Sequence, residues 1–535
     1  MTINEISNIN PRKLVDLAQK GYPFAQDMLA EIPGSFVTTP SDLAVLINKN
    51  HGLAANLQKD VSGGLIDYSQ LINISTEFHK RSGTFDVVKR NIDLISTNAM
   101  KLRIAHTPDL FAYLGLYVQF IFLDLTAKQL FNQSKNPVCM LFFLVDHETV
   151  HDKRLRTSHI PDIEREHGSL RIRVPLQKES LVKADFGTDR PSLELIDRWI
   201  QDLDHYIFHN ISILRRSGFR NNIKDIFRDR LGFIKEELLE AYNRSSNLAE
   251  FNTIFLSRIV NKHWGIPVAF LPVTISAAAL EQIYKHLLSL YPEMVGISHD
   301  VVTQLRKMGI SIKDNLILSA DNFPLWYICK SCCTRVHLII KSSPKLLVQG
   351  KCDLCNSTYS FDLGTFSRPN LEPIHHNTVP KVLFDELTDI IGWRICGGTS
   401  YIGSAEHIIV NSLIASRLGF KIPFESIWRP RGIHLGLAEL RYATQTTTLP
   451  NKHEKIISAM SRALLGRGGI LYFFLSQGVD GLINLWKSHF ESGKRLYDPV
   501  LGNTPFNITS KELKRLFTLL EELDAPPCYS LDEVS

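Results

Sequence analysis

The stretch 139–145, CMLFFLV, sets seven apolar residues side by side and then breaks into Asp146, His147 and Glu148. A strand with one wet face alternates apolar and polar residues. A run without alternation has to be covered on both faces, as parallel strands between helical layers are. Neighbouring segments repeat the theme. "KLRIAH" is a short apolar strand ending at His106. "TPDLFAYLGLYVQFIFLDLTAKQLF" then reads as a helix, with Thr107 as cap, Pro108 at the first helical position and Asp109 in the first turn. Later, "LAEFNTIFLSRIVNKHWGIPVAFLPVTI" reads as helix, turn and strand, and "GWRICGGTSYIGSAEHIIVNSLIASRLGF" as strand, glycine turn and helix. This alternation predicts an α/β fold around a parallel sheet.

In open parallel sheets, ligands sit beyond the carboxyl ends of the strands. Three strand ends here carry polar groups. The first has His106, Thr107 and Asp109; the second has Asp146 and His147; the third has Gly397, Gly398, Ser400, Ser404 and Glu406, with His407 beside them. His106 or His147 can serve as a general base near neutral pH. Asp146 can orient a histidine or hold a substrate ammonium. Gly397 and Gly398 ahead of a helix would bring backbone N–H groups to an anion, aided by the helix N-terminus. The set suits amide or other C–N chemistry on a small polar substrate, and equally nucleotide or phosphate binding. A P-loop pattern is absent from the sequence.

The same second strand end spells H-E-x-x-H from His147 to His151, the zinc-protease signature. A zinc protease needs that motif inside a helix, with both histidines on one face, and a third ligand. Six residues past His151 stands Thr157; the next histidine is His159, and Glu164 and Glu166 lie at unsupported spacing. The apolar run leading into the motif favours the end of a buried strand.

Five of the eight cysteines fall in one segment, "CKSCCTRVHLIIKSSPKLLVQGKCDLC". Cys329, Cys332, Cys352 and Cys355 form two C-x-x-C pairs separated by β-rich residues, the spacing of a zinc ribbon, while Cys333 is a spare. Four thiolates leave no open coordination position, so the zinc is expected to be structural. Lys330, Arg335, Lys341, Lys345 and Lys351 make the ribbon basic, which opens a non-enzymatic alternative: a ribbon that binds RNA, a carrier or another protein.

The chain has 535 residues, 44% hydrophobic and 21% charged, with a net charge of +5. That balance is too mild to argue for nucleic acid by itself. Periodicity makes residues 1–100 a helical region and 101–320 the first part of the core, with a helical insertion at about 190–250. The ribbon occupies 321–368, the remainder of the core 369–430, and a C-terminal helical region 431–535. The first residues lack a basic head followed by an apolar stretch, so no signal peptide is expected. The window "LFAYLGLYVQFIFLDLTA" carries Gln119 and Asp124 and falls short of a full span, so a buried helix and a cytoplasmic, membrane-free protein are expected.

In order and spacing, residues of roughly 100 to 430 resemble the cysteine-adding ligase family of bacillithiol biosynthesis (the BshC family). "AHTPDLFAYLGLYVQFIFLDLTAKQL" is similar to its strand-end loop and long helix, and "PVCMLFFLVDHETVHD" to its apolar strand ending in an acidic and histidine cluster. "NLAEFNTIFLSRIVNKHWGIPVAFLP" and "CGGTSYIGSAEHIIVNSLIASRLGFKIPFESIWRPR" follow in the same order. The resemblance implies a Rossmann-like core with helical connections. It also implies a ligase that joins an amino acid, cysteine in that family, to the amino group of a small acceptor such as an amino-sugar conjugate, with ATP or ADP as a nucleotide to test for. The departures are the His106–Thr107–Pro108–Asp109 loop, where the family is richer in Gln and Gly, the inserted ribbon, and a C-terminal region without sustained heptads.

Overall fold

A computed structural model describes residues 65–150, 155–161, 169–176, 183–216, 223–342, 345–389, 393, 395–401, 405–419, 425–429 and 467–491, with isolated residues between 22 and 48. Along the chain come α1 (Tyr68–Ser82), α2 (Phe85–Asp93), β1 (Met100–His106), α3 (Leu114–Ser134) and β2 (Val138–Leu144). A hairpin of β3 (Thr157–Pro161) and β4 (Ser169–Arg173) follows, then α4 (Leu193–Arg216), α5 (Ile223–Arg244), α6 (Leu248–Ser257), β5 (Ala269–Pro272) and α7 (Glu281–Lys307). Six strands come next: β6 (Asn322–Ile328), β7 (Arg335–Ser342), β8 (Lys345–Lys351), β9 (Thr358–Thr365), β10 (Arg368–Pro369) and β11 (Thr378–Pro380). The described chain closes with α8 (Val382–Thr388), β12 (Ile395–Tyr401), α9 (Ala405–Arg417), β13 (Glu425–Arg429), α10 (Gly469–Gln477) and α11 (Gly481–Glu491).

These elements make a mixed α/β protein with two principal sheets. Five strands in the order β13-β12-β1-β2-β5 form one, with every neighbouring pair parallel. The other is a six-stranded antiparallel sheet in the order β10-β9-β8-β7-β6-β11.

The apolar run explains itself in the parallel sheet. Successive side chains of β2 point to opposite faces. Met140, Phe142 and Leu144 enter a core shared with α3, α5, α6 and α10. Cys139, Leu141 and Phe143 enter a second core shared with α1, α2, α7, α9 and the antiparallel sheet. Phe142 packs against Phe270 of β5 with ring centroids 4.7 Å apart; on the other face Phe143 meets Trp393 at 5.0 Å. Both faces are dry, so no position of β2 calls for a polar residue.

Helix α3 is buried along most of its length, and several of its polar side chains are partnered: Gln119 Nε2 donates to the Tyr113 hydroxyl at 2.9 Å, and Lys128 reaches Asp124 at 2.6 Å. No helix among the described residues is long and apolar enough to cross a membrane. The helix starts later than the sequence predicts. Tyr113 is its N-cap, and Thr107, Pro108 and Asp109 lie in the preceding loop. Phe111 takes a positive φ of 47°, which turns the chain before the helix begins, and the Thr107 hydroxyl donates to Asp109 Oδ1 at 2.7 Å rather than capping a backbone amide.

The glycine pair is also relocated. Gly397 and Gly398 sit inside β12, level with Leu102 and Arg103 of β1 and with Glu425 and Ser426 of β13. Their amides belong to the sheet interior and cannot form an anion cradle ahead of α9. Interior strand glycines of this kind allow close backbone approach rather than a turn. Ser400 is in the same strand, paired with Trp428, Glu406 belongs to α9, and Ser404 lies outside the described residues.

Candidate functional site

Strands β1 and β2 run in register from Met100↔Val138 to His106↔Leu144, so their carboxyl ends finish side by side. That places the loop after His106 against the turn after Leu144, where the Val145 amide donates to the His106 carbonyl at 3.0 Å.

On the first loop, His106 Nδ1 is 2.9 Å from the Thr107 carbonyl oxygen. A carbonyl can only accept, so Nδ1 carries the hydrogen and Nε2 is the proton acceptor of the ring. The ring lies 4.9 Å from that of Tyr113 and its Nδ1 3.9 Å from Asp109 Oδ2. Asp109 is fully enclosed and is held by Arg467, whose Nε donates to Oδ2 at 2.6 Å. Arg467 comes from just before α10, where Gly468 donates to the Phe111 carbonyl and His159 donates to the Arg467 carbonyl.

On the second turn, Asp146 Oδ1 accepts from the backbone N–H and the hydroxyl of Thr274, at 2.9 and 2.7 Å. Thr274 lies just past β5, so Asp146 ties the ends of β2 and β5 together. Burial pushes its carboxyl up to about 6, against the lowering effect of both hydrogen bonds. His147 is buried beside it with Nδ1 unpartnered. Burial, and then the charge of Arg335, hold that imidazole down at about 3, so it is neutral throughout the physiological range.

Asp185 completes the cluster, and sequence reasoning missed it. The Asp185 amide donates to the Glu148 carbonyl at 2.7 Å and the Thr149–Ala184 bridge runs antiparallel, which zips the segment 184–186 onto the turn 146–149. Its carboxyl is completely buried, and neither oxygen has a hydrogen-bond partner. Burial first, then the charges of Asp146, Asp109 and Glu148, drive its pKa well above the carboxylate range. A buried polar group without a partner is costly. Buried carboxyls gathered where strands end are the arrangement from which enzymes draw acids and bases.

Of the sequence-predicted residues, the structure therefore brings together His106, Thr107, Asp109, Asp146 and His147. It does not bring Gly397 and Gly398 to this end of the sheet. The H-E-x-x-H segment is not a helix where it is described: residues 146 and 147 form a turn, 148 a bend and 149 a bridge, while His151 lies outside the described residues. The two histidines of a zinc protease need a shared helical face, which this backbone does not supply.

The four cysteines converge as their spacing predicts. Their sulfurs all lie within 4.8 Å of one another, with Cys329–Cys355 at 3.5 Å and Cys332–Cys352 at 3.4 Å. Those separations exceed a disulfide bond and approach the ~3.8 Å edge of a tetrahedron with metal–sulfur bonds of ~2.3 Å. The site can hold a metal ion. The two knuckles share one backbone pattern. Cys329 donates to Thr334 as Cys352 does to Ser357, and Cys333 donates back to Cys329 as Asn356 does to Cys352. Cys333 and Asn356 both take left-handed φ, 56° and 60°. Cys333 is therefore the turn residue of its knuckle and not a ligand. Its carbonyl accepts from Ala184 at 2.9 Å, so the first knuckle rests on the segment that carries Asp185. Arg335 adds an ion pair to Glu148 at 3.4 Å.

No family model and no curated protein matches this chain.

Proposed function

We propose that the cluster at the ends of β1 and β2 is the active site of a ligase that forms an amide C–N bond between the carboxyl group of an amino acid and the amino group of a small polar acceptor. The family resemblance suggests cysteine as the amino acid and an amino-sugar conjugate as the acceptor. The observation that carries the reading is the enclosed, unpartnered carboxyl of Asp185, facing Asp109 and Asp146 where two parallel strands end. In this scheme His106 Nε2 takes the first proton from the acceptor ammonium, the free amine attacks the carboxyl carbon, and the nitrogen's second proton passes to Asp146. Asp146, ionised above about 6, holds the acceptor ammonium before attack. Asp185, its carboxyl pushed well above the usual carboxylate range by burial, gives one proton to the departing carboxyl oxygen and His106 returns the other, so that the oxygen leaves as water. Arg467 fixes Asp109, which keeps the His106 loop in place. His147 is too weak a base for the proton transfer.

The five-stranded sheet, covered on both faces, is read here as the Rossmann-like core of such a ligase, and the cysteine sheet as a zinc ribbon inserted into it. Four soft thiolates at tetrahedral spacing select zinc over harder cations. With every position taken by sulfur, the zinc holds the knuckles and stays outside the chemistry. The relocated glycine pair removes the basis for a nucleotide cradle at β12, so ATP enters the scheme only as an additive to be tried.

The test is mass spectrometry of reactions that mix amino acids with amino-sugar acceptors, with and without ATP. The expected product has the mass of acid plus amine less one water, and Asp185→Asn and Asp146→Asn lose it. Product formation that survives both substitutions contradicts the assignment.

A further inference from the structure

The antiparallel sheet has an outer face that the metal site leaves unused and that touches the strand-end cluster only through the Arg335–Glu148 ion pair. Alternation along β7 buries Val336, Leu338 and Ile340 and turns Arg335, His337, Ile339 and Lys341 outward. On β8 the outward positions include Gln349 and Lys351. Trp326 of β6 is paired with His337 and only half-buried. Three cationic or titratable side chains gather on its indole. The Lys381 ammonium lies 4.7 Å from the ring centroid, the Arg335 guanidinium carbon 5.1 Å, and the His337 ring 5.7 Å away, edge-on. Asn322 holds this group in place, accepting from Lys381 and lying 2.8 Å from His337 Nε2. Lys381, largely buried, is brought down to about 8 and stays mostly protonated at neutral pH. Ile339, paired with Asn322, is 41% exposed on β7. Among the described outward positions of β6 to β9, Asp362 is the one acid.

We propose that this face binds single-stranded nucleic acid, with Trp326 as the stacking platform and Arg335, Lys341, Lys351 and Lys381 as phosphate contacts. The charge complementarity is direct: Lys341, Lys351 and Lys381 stand on this face beside Arg335, which is shared with Glu148, and the acids nearby are Asp362 and Asp353. The indole decides among polyanions. Bases present a π-face to an aromatic ring, and arginine adds its own stacking plane. An acidic peptide has no use for the indole. A lipid surface would call for several protruding apolar side chains, whereas Ile339 is the one large apolar side chain exposed among the described residues of this sheet. Among the described residues, the opposite face is packed in the second core and the outer face carries the exposed positions.

The experiment is fluorescence anisotropy of a labelled oligouridine of about 16 nucleotides with the full-length, metal-loaded protein, over a series of salt concentrations. Binding is expected to weaken with salt at a log–log slope of about −2 to −3, as three or four phosphate contacts require. Trp326→Ala is expected to weaken it roughly five- to hundredfold and Trp326→Phe much less, because a phenyl ring still stacks. Lys341→Gln, on an exposed strand position that no fold contact needs, is expected to flatten the slope by about 0.7. The proposal is overturned by an absence of binding at low salt, by binding indifferent to salt, or by tighter binding of a duplex than of the single strand. Inorganic polyphosphate, polyglutamate or anionic vesicles displacing the oligonucleotide, with Trp326→Ala neutral, overturns it as well.

Discussion

Cys329 and Cys355 are 26 positions apart in sequence and meet across two strands that share a sheet; Arg467 and Asp109 are 358 positions apart and meet only because helix α10 returns to the loop after β1. The first centre is local and closed. Its sulfurs have one another, Tyr359 lies 3.0 Å from Cys329, and Ser357 lies 3.1 Å from Cys355. The second is assembled from four distant segments and leaves the carboxyl oxygens of Asp185 and the Nδ1 of His147 without partners. Satisfied polar groups at repeated backbone geometry mark a site made for stability. Unsatisfied ones, held in place by hydrogen-bonded neighbours, mark a site made to meet something else.

The comparison breaks most visibly at the metal. Cys329→Ser or chelation is expected to remove one equivalent of bound metal per chain, zinc on the proposed reading, and to cost several kcal/mol of stability, since metal binding of this kind is folding free energy. Metal analysis and thermal unfolding check this, and an unchanged unfolding temperature after chelation would leave the ribbon without a structural role.

Next in size is the pH dependence that the strand-end cluster imposes. Asp146 is raised from 3.8 to about 6 in the folded protein, so the native state favours its protonated form. Its contribution to stability is intact below about pH 4 and is lost as pH rises through about 6, an effect of roughly 3 kcal/mol. Asp146→Asn is expected to erase that share, so variant and wild type should converge at low pH and separate as pH climbs. Parallel stability curves from pH 4 to 7 would count against the buried state of this carboxyl.

The seam between the two regions should respond more modestly. A Cβ at Gly187 would lie 2.6 Å from Cys333 Cβ. Gly187→Ala is expected to destabilise by about 1–3 kcal/mol, and Cys333→Gly, which suits the positive φ, is expected to restore most of it. Failure of the double variant to recover would place the strain elsewhere. Smallest of all, Cys333→Ser alone should leave the zinc stoichiometry unchanged, because Cys333 occupies the turn position that Asn356 fills in the second knuckle.

What the sequence made legible follows the same division. The C-x-x-C pairs and the unbroken run CMLFFLV are local patterns, and the structure has the cysteine cluster and the doubly covered strand β2 where they predict them. Thr107–Pro108–Asp109 carried a sound capping signal, yet the hydroxyl found Asp109, and the positive φ of Phe111 delayed the helix to Leu114. Gly397 and Gly398 look like a turn because glycine punctuates loops, but both pair inside the sheet with β1 and β13. Asp185 and Arg467 had no signal to follow: each lies in a short non-periodic segment, and its importance comes entirely from partners far away in sequence.

The enclosed carboxyls at the ends of β1 and β2 are proposed as the reactive site. The most direct measurement sets the rate of amide formation by Asp185→Asn beside its thermal stability at pH 7. An amide of the same size relieves a buried acid, so the account predicts a variant at least as stable as wild type with product formation down by a hundredfold or more. A variant that loses stability and keeps its rate would show that Asp185 serves the fold and not the chemistry.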